Sequence, residues 1–316
     1  MIMNKSKKKQ RKQGGKRLRI LLIALLLAIA AFFCAVKLPP MFTEGLIEKE
    51  FKASSLLYSE KETENTQVFA GELILVNNAH AFNFDLGEKK YTIASKKNQY
   101  YRAKNEEITL NKTTIRQFNA LFRDFYKQTG LDNVTIISAY RDYAYQENLL
   151  NERISSSGYS TAIRWVAQPG YSEHHTGLAA DIAVADADGN TSTFTGRDDY
   201  ALVGEIAWKY GFINRYPEDK TAITGISNEP WHYRYVGKPH AYVMSLKNFC
   251  LEEYEDYLKR FTYGNSYLYV NMHGDTYMIY YVPASAEEST RVPVPRFGSY
   301  EISGNNADGF IVTAKK

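Results

Sequence analysis

Three short blocks of the sequence hold residue types that bind metal ions and move protons. They are residues 172–181 (SEHHTGLAAD), 229–232 (EPWH) and 138–141 (SAYR). A zinc ion in a hydrolase takes three protein ligands and keeps a fourth position open for water. His174, Asp181 and His232 offer two imidazoles and one carboxylate, so the blocks predict a hydrolytic zinc site.

The spacing of His174 and Asp181 restricts the backbone between them. The two residues are seven positions apart, which on a helix separates them by about 10.5 Å along the axis, too far for both to reach one ion. A straight strand would separate them further. Gly177 and the two alanines that follow at 179 and 180 permit a bend. We therefore expect a turn at Gly177, followed by a buried strand that carries Asp181 inward.

The other two blocks offer a base and a cation. Pro230 fixes its own φ and biases Glu229 toward an extended conformation, which suits a carboxylate that must be aimed. Glu229 can then accept a proton from the water that a zinc ion activates. Arg141 follows a predicted strand at 134–138, and its guanidinium can polarise a carbonyl or hold a carboxylate. Taken alone, Arg141 would instead be read as a surface or ion-pair arginine.

In this order the three blocks resemble the D-alanyl-D-alanine carboxypeptidases of the VanY type, zinc peptidases that share the hedgehog-like fold. The family patterns are Ser-x-His-x-x-Gly-x-Ala-x-Asp, Glu-x-Trp-His and an upstream Ser-x-Tyr-Arg, and every fixed position is present. The resemblance covers roughly residues 68–240. It implies an α+β fold in which an antiparallel sheet holds the metal and helices surround it.

The resemblance also implies a role for each site residue. His174, Asp181 and His232 would bind Zn²⁺, Glu229 would be the general base, and Arg141 would steady the carbonyl oxygen as it becomes an oxyanion. Ser172 and Gln146, with Arg141, would hold the terminal carboxylate of a peptidoglycan stem peptide. His175 occupies a variable position of the pattern and is read as a neighbour of the site, and Trp231 as a packing residue that positions His232.

The charge of the chain is concentrated at its N-terminus. Residues 1–19 carry nine of the 39 lysines and arginines and no acidic residue, which leaves 30 basic against 35 acidic residues downstream. This net −5 argues against nucleic acid as the partner of the globular part. Residues 20–36 have no charge and no proline and predict a transmembrane anchor with its N-terminus in the cytoplasm and the rest outside a bacterial cell. A cleaved signal peptide is the alternative.

The remaining organisation follows from pattern and composition. Of the two cysteines, Cys34 lies in the apolar run and Cys250 in a predicted helix, so no disulfide is expected and stability must come from the core or a metal. We expect a basic head (1–19), an anchor (20–36), a stalk (37–66), a zinc carboxypeptidase domain (67–262) and a small C-terminal β-rich appendage (263–316). Order is expected to begin at 68–77, with a buried strand at 73–76, and a further strand is expected at 134–138. The expected helices are at 113–130, 142–153, 200–210 and 239–261, and hairpins are expected at 273–275 and 304–306.

Three functions remain open at this point. The first is release of the terminal D-alanine from a stem peptide, and the second is an L,D-carboxypeptidase that acts on the already shortened tetrapeptide. The third is a non-catalytic protein that binds wall peptide through an inactive zinc site. Glu229 favours an enzyme, because a protein that only binds needs no base.

Overall fold

The computed structural model describes residues 45–50, 57–82 and 90–316. Its strands are β1 Gly45–Glu50, β2 Tyr58–Glu64, β3 Lys90–Thr92, β4 Arg102–Ala103, β5 Thr109–Asn111, β6 Val134–Ser138, β7 Ala179–Ala185, β8 Thr191–Thr193, β9 Phe212–Tyr216, β10 Glu229–Tyr235, β11 Ser266–Met272, β12 Asp275–Pro283, β13 Ser289–Pro295, β14 Ser299–Gly304 and β15 Gly309–Lys315. Its α-helices are α1 Lys112–Thr129, α2 Tyr143–Ser157, α3 Tyr159–Ala162, α4 Ala201–Ala207, α5 Thr221–Thr224, α6 Lys238–Lys247 and α7 Leu251–Leu258.

A six-stranded sheet forms the centre of the predicted peptidase region. Its strand order is β4-β6-β7-β10-β9, and β8 pairs with β7. All pairs except the short parallel contact of β4 with β6 are antiparallel. The strands are joined by helices and long connections, so the fold is α+β with a largely antiparallel sheet, as expected.

Helix α1 covers one face of this sheet. Its buried stripe of Phe118, Phe122 and Phe125 joins a core cluster that includes Ile136 of β6 and Ile182 of β7. The helix ends at Gly130, whose left-handed φ of 75° completes the C-terminal turn, as the sequence predicts. The helix is capped at its N-terminus by Asn111, whose side chain accepts a hydrogen bond from the Thr113 N–H at 2.7 Å.

The predicted stalk and appendage are not separate parts of the described chain. Strand β1 pairs with β11 and β2 pairs with β13, so two segments inside the predicted stalk complete C-terminal sheets. A second core cluster joins α6 and α7 to β11 and β12, across the expected boundary at 262/263. The described residues accordingly belong to one compact unit. The division at 37–66, 67–262 and 263–316 is wrong because long-range pairing and shared apolar faces cross both boundaries.

The predicted strand at 73–76 is absent from the described residues, although all four of its residues are buried. Leu73 and Ile74 are only 1% and 2% exposed, yet the segment pairs with no neighbouring strand. Other groups satisfy its backbone instead: Arg234 donates to the Ile74 carbonyl at 2.9 Å, and Asn306 donates to the Leu75 carbonyl at 2.7 Å. The buried backbone of this segment is stable without strand pairing because side chains form the hydrogen bonds that a neighbouring strand would otherwise supply.

Two predicted helices are interrupted. The expected helix at 239–261 is two helices, α6 and α7, because Asn248 adopts a left-handed φ of 51° and ends the first. The expected helix at 200–210 is α4 followed by a 3₁₀ turn, and Gly211 ends it with a φ of 84°. The hairpin at 273–275 forms between β11 and β12, and the turn at 304–306 lies between β14 and β15.

Among the residues that the structure describes, no helix is long and apolar enough to cross a bilayer. The basic head and the expected anchor at 20–36 lie outside the described residues.

A buried acid in α7 makes folding sensitive to pH. Glu255 is 4% exposed, and neither carboxylate oxygen accepts a hydrogen bond from the described residues. Burial raises the pKa of Glu255 well above its usual value, so the folded chain keeps a proton that the unfolded chain releases. Stability therefore falls as pH rises above the ordinary carboxyl pKa, by up to about 1.4 kcal/mol per pH unit until the raised pKa is passed.

Glu255→Gln should remove this slope, because an amide has no proton to release. Urea unfolding with chelator present, which keeps metal affinity out of the comparison, should give the variant a growing advantage between about pH 5 and about pH 8. Parallel stability curves for the two proteins would show that Glu255 ionises normally in the fold.

Candidate metal centre

The three predicted metal ligands converge on the two central strands. Asp181 of β7 and His232 of β10 are register partners, so their side chains lie side by side on one face of the sheet. The ligand atoms of His174, Asp181 and His232 all lie within 4.8 Å of one another. All three side chains are buried, at 3%, 8% and 3% exposure.

His174 reaches this point because the chain turns before β7. Residues Glu173–Thr176 form a single 3₁₀ turn that ends at Gly177, whose φ is 66°. A side chain with a Cβ rarely adopts this conformation, so the glycine is required there. The predicted bend between His174 and Asp181 lies at Gly177.

A bulge brings Glu229 and His232 to the same side of the sheet. Residues three apart on a regular strand point to opposite faces. The pairing of β10 with β9 shifts register between Glu229 and Tyr233, and Pro230 has no N–H to complete a ladder there. The Asn214 side chain fills the gap by donating to the carbonyls of Glu229 at 2.8 Å and His232 at 3.3 Å.

Hydrogen bonds leave one nitrogen of each histidine directed at Asp181. Nδ1 of His174 donates to the Ala139 carbonyl at 2.5 Å, which leaves Nε2 as the lone-pair atom, 3.4 Å from Asp181 Oδ2. Nε2 of His232 lies 3.4 Å from the Glu173 carboxylate, and its Nδ1 lies 3.1 Å from Asp181 Oδ1. Acceptors behind both rings are typical of metal-binding histidines.

The donor set fits a zinc ion. Asp181 Oδ1 is buried and accepts no hydrogen bond from the described residues, although His232 Nδ1 is close, so the contact lacks hydrogen-bond alignment. Burial lowers the pKa of His174 to about 4, which keeps its Nε2 free to bind metal. Burial also disfavours a charged His232, yet Asp181 and Glu173 outweigh it and raise its pKa to about 9. The same negative charge favours a divalent cation, and two imidazoles with one carboxylate are a catalytic zinc set.

Glu229 lies beside the ligand atoms with the pKa of a useful base. Its Oε2 is 3.6 Å from His232 Nδ1, and the residue is 6% exposed. Burial raises the pKa of Glu229 to about 7, against the opposing effect of His232. A general base works best when its pKa is close to the working pH.

Arg141 is held against the centre by three contacts. Its guanidinium donates to Asp181 Oδ2 at 2.6 Å, to the Ser138 hydroxyl at 3.0 Å and to the Gln146 amide oxygen at 3.3 Å. The Gln146 amide also donates to the Ala167 carbonyl at 2.8 Å, so this side chain orients Arg141. A cavity of about 550 Å³ opens over the site, and all the predicted residues line it: Arg141, Gln146, Ser172, His174, Asp181, Glu229 and His232.

Glu173 is a site residue that the sequence reasoning missed. It is 1% exposed and forms ion pairs with two buried arginines, Arg215 and Arg234, each at 2.8 Å. Burial alone would raise its carboxyl pKa, but the arginines hold the pKa of Glu173 well below its usual range. The one signal that the sequence offered was an acidic residue between two motif positions, Ser172 and His174.

His175 is a structural neighbour of the centre. Its Nδ1 donates to the Arg141 carbonyl at 2.8 Å, and its Nε2 accepts from the Gly170 N–H at 3.0 Å. Both ring nitrogens are therefore engaged in shaping the chain around Arg141, and neither is directed at the ligand cluster. Trp231 lies on the cavity wall, with its ring stacked 6.4 Å from that of Trp165.

This fold and site define a class of zinc-binding peptide hydrolases. Similarity to known proteins shows which family within this class the chain belongs to. The VanY family of D-alanyl-D-alanine carboxypeptidases matches residues 107–238. A D-alanyl-D-alanine carboxypeptidase of Enterococcus faecium is 38% identical over 258 residues, which cover 80% of this chain and 78% of the relative. The chain belongs to this family.

Two solved structures are similar to the chain. One is VanXYg, a vancomycin resistance D,D-dipeptidase in complex with a D-Ala-D-Ala phosphinate analogue. It is 31% identical with a TM-score of 0.73, and the match covers 82% of this chain and 100% of that one. The other is the LD-carboxypeptidase LdcB, which is 33% identical with a TM-score of 0.50 over 58% of this chain and 84% of that one.

Proposed function

We propose that the protein is a zinc-dependent D-alanyl-D-alanine carboxypeptidase that removes the terminal D-alanine from peptidoglycan stem peptides. The observation that carries this proposal is the convergence of His174, Asp181 and His232 beside Glu229 in an open cavity. A Zn²⁺ ion held by these ligands supplies Lewis acidity and lowers the pKa of a water molecule to about 7.

Glu229 transfers the proton in this reaction, and Arg141 stabilises the negative charge that develops. Glu229 accepts the proton of the attacking water as the water oxygen adds to the scissile carbonyl carbon. When the carbon–nitrogen bond breaks, Glu229 returns that proton to the amine of the departing D-alanine, so atoms and charges balance. Arg141 places positive charge where the carbonyl oxygen becomes negative, and its ties to Ser138 and Gln146 keep it oriented before the reaction.

Binding of the substrate's terminal carboxylate is assigned to the wall formed by Ser172, Gln146 and Arg141. Ser172 is 3% exposed and lines the cavity next to the ligand His174. A hydroxyl, an amide and a guanidinium are suitable donors for a carboxylate.

Arg141→Ala should lower kcat by about 10²–10³-fold, because the cation that stabilises the developing oxyanion is lost. Zinc affinity should not fall, since Arg141 competes with a metal ion for Asp181 Oδ2, 2.6 Å away. Steady-state kinetics and a chelator competition measure the two effects. Arg153→Ala is the matched control, because Arg153 is an exposed arginine on the same cavity wall; an equal kcat loss there would remove the assigned role.

The same geometry serves an L,D-carboxypeptidase that acts on tetrapeptide stems, which the similarity to LdcB supports as the second candidate. Incubation with purified pentapeptide and tetrapeptide stems, followed by mass spectrometry, separates the two. Release of D-alanine from the pentapeptide alone supports the first candidate, and release from the tetrapeptide alone supports the second. A protein that binds stems and cleaves neither would be the non-catalytic binder.

We further propose that residues 20–36 anchor the protein in the bacterial membrane, with the peptidase outside the cytoplasm. The uncharged run behind a basic head supports this orientation, and peptidoglycan lies on that side. Carbonate extraction of membranes should leave the full chain in the pellet and a variant without residues 1–36 in the supernatant. If cells that express the full chain instead release a shorter protein into the supernatant, residues 20–36 belong to a cleaved signal peptide.

A further inference from the structure

Glu173 connects the metal centre to a buried cluster of charges. One oxygen, Oε1, accepts from Arg215 Nε and from Arg234 Nη1, each at 2.8 Å. The other oxygen, Oε2, lies 3.4 Å from Nε2 of the ligand His232. The carboxylate therefore faces two fixed cations on one side and an imidazole on the other, and the side chains of Glu173 and both arginines are 0% exposed.

This arrangement determines which nitrogen of His232 would keep its proton when a metal ion binds on the Asp181 side. A carboxylate behind Nε2 favours the proton on that nitrogen, which leaves the lone pair on Nδ1. Nδ1 is the atom that faces Asp181 at 3.1 Å and Glu229 at 3.6 Å. With the proton on Nδ1 instead, the ring would turn an N–H toward the metal position and could not bind.

The cluster also fixes the position of the carboxylate itself. Arg234 donates to the backbone carbonyls of Glu72 at 3.0 Å and Ile74 at 2.9 Å. Arg215 forms a bidentate pair with Glu252 of α7, at 2.7 and 2.9 Å. Both arginines are thus held by parts of the chain outside residues 107–238, so Glu173 has little freedom to move away from His232.

We infer that Glu173 is a positioning residue of the metal centre, which holds the Nδ1 lone pair of His232 on the metal side and is itself held by Arg215 and Arg234. The inference rests on the proposed zinc site. The competing explanation is that Glu173 only neutralises two buried arginines and has no effect on the metal.

Glu173→Gln in the full chain should weaken zinc binding by about 10–100-fold in a competition with a fluorescent chelator, because outer-shell partners of metal ligands have effects of this size. The variant should also be less stable without zinc, since Arg215 and Arg234 lose the carboxylate that both of them contact. Zinc affinity and stability must therefore be separated by further variants.

Arg234→Met is the matched control. It breaks one ion pair of the cluster, but Arg215 still donates to Glu173 Oε1 at 2.8 Å and keeps the carboxylate beside His232. Arg234→Met should therefore reduce the stability of the metal-free protein and change the zinc Kd by less than about threefold. The double variant Glu173→Gln/Arg234→Met removes one charge of each sign. It should regain stability over Glu173→Gln while its zinc affinity stays weak, and it carries the test if Glu173→Gln alone fails to fold.

The inference is overturned if the double variant, or a folded Glu173→Gln, binds zinc as tightly as the wild type. It is also overturned if Arg234→Met weakens zinc binding as much as Glu173→Gln does, because affinity would then follow stability alone. The readout needs no turnover. A wild-type protein that binds zinc tightly but cleaves no stem peptide would contradict the proposed function and leave this inference standing.

Discussion

Glu229→Gln is expected to lower kcat by about 10³-fold and to leave the zinc content unchanged. The amide keeps the size and position of the side chain beside His232 Nδ1 but cannot accept a proton. KM should change little, because Glu229 acts on the water and the leaving amine and is not assigned to the peptide's carboxylate. Steady-state kinetics on a pentapeptide stem, with zinc measured on the same samples, test this expectation.

A second glutamate on the cavity wall offers a matched control. Glu152 is exposed, lies on α2 and lines the same cavity. Glu152→Gln should keep nearly full kcat, because the change removes a charge from the cavity but no base. Wild-type activity in Glu229→Gln would remove the mechanism, and loss of zinc from that variant would reassign Glu229 from base to ligand.

His232→Ala is expected to have the largest effect on metal binding. The substitution removes a ligand, so zinc affinity should fall by more than the roughly 100-fold that limits most outer-shell changes, and turnover at stoichiometric zinc should disappear. The backbone pairing of positions 181 and 232 does not depend on the imidazole, and Glu173 would keep its two arginines, so the fold should persist. Zinc titration and circular dichroism measure the two properties.

His175→Ala tests whether His175, the neighbour of His174 in sequence, also binds zinc. Both nitrogens of His175 are used in hydrogen bonds to the chain, so its removal should cost about 1–3 kcal/mol of stability through unpaired backbone groups. The zinc stoichiometry should stay at that of the wild type. If His175→Ala loses zinc and His232→Ala keeps it, the assignment of ligands is wrong.

The residues of the site were more predictable from the sequence than the domain boundaries and the individual strands were. Seven residues in distant blocks line one cavity, because metal chemistry restricts both residue type and local spacing, and Gly177 and Pro230 mark where the backbone departs from regular structure. Glu173 was not predicted, since its partners Arg215 and Arg234 lie far along the chain and no local pattern links an acid to them.

The wrong predictions of the domain boundaries and of the early strand have one common cause, because long-range contacts determine both features. Strand β2 (YSEKETE) is polar and mostly exposed, so the sequence reads as a stalk, and only its pairing with β13 makes it a strand. The segment 73–76 (LILV) has the apolar residues of a buried strand, but side chains from the opposite end of the chain, Ser303 and Asn306, bind its backbone in place of a neighbouring strand. Where the β-propensity of a segment is not decisive, the strands and side chains that contact it determine its structure.

Anomalous diffraction at the zinc edge, from crystals of the zinc-loaded protein, locates the metal directly. We expect one strong peak about 2.0–2.2 Å from His174 Nε2, His232 Nδ1 and an oxygen of Asp181. A fully zinc-loaded crystal whose peak lies away from these three atoms would contradict the assignment of the metal ligands.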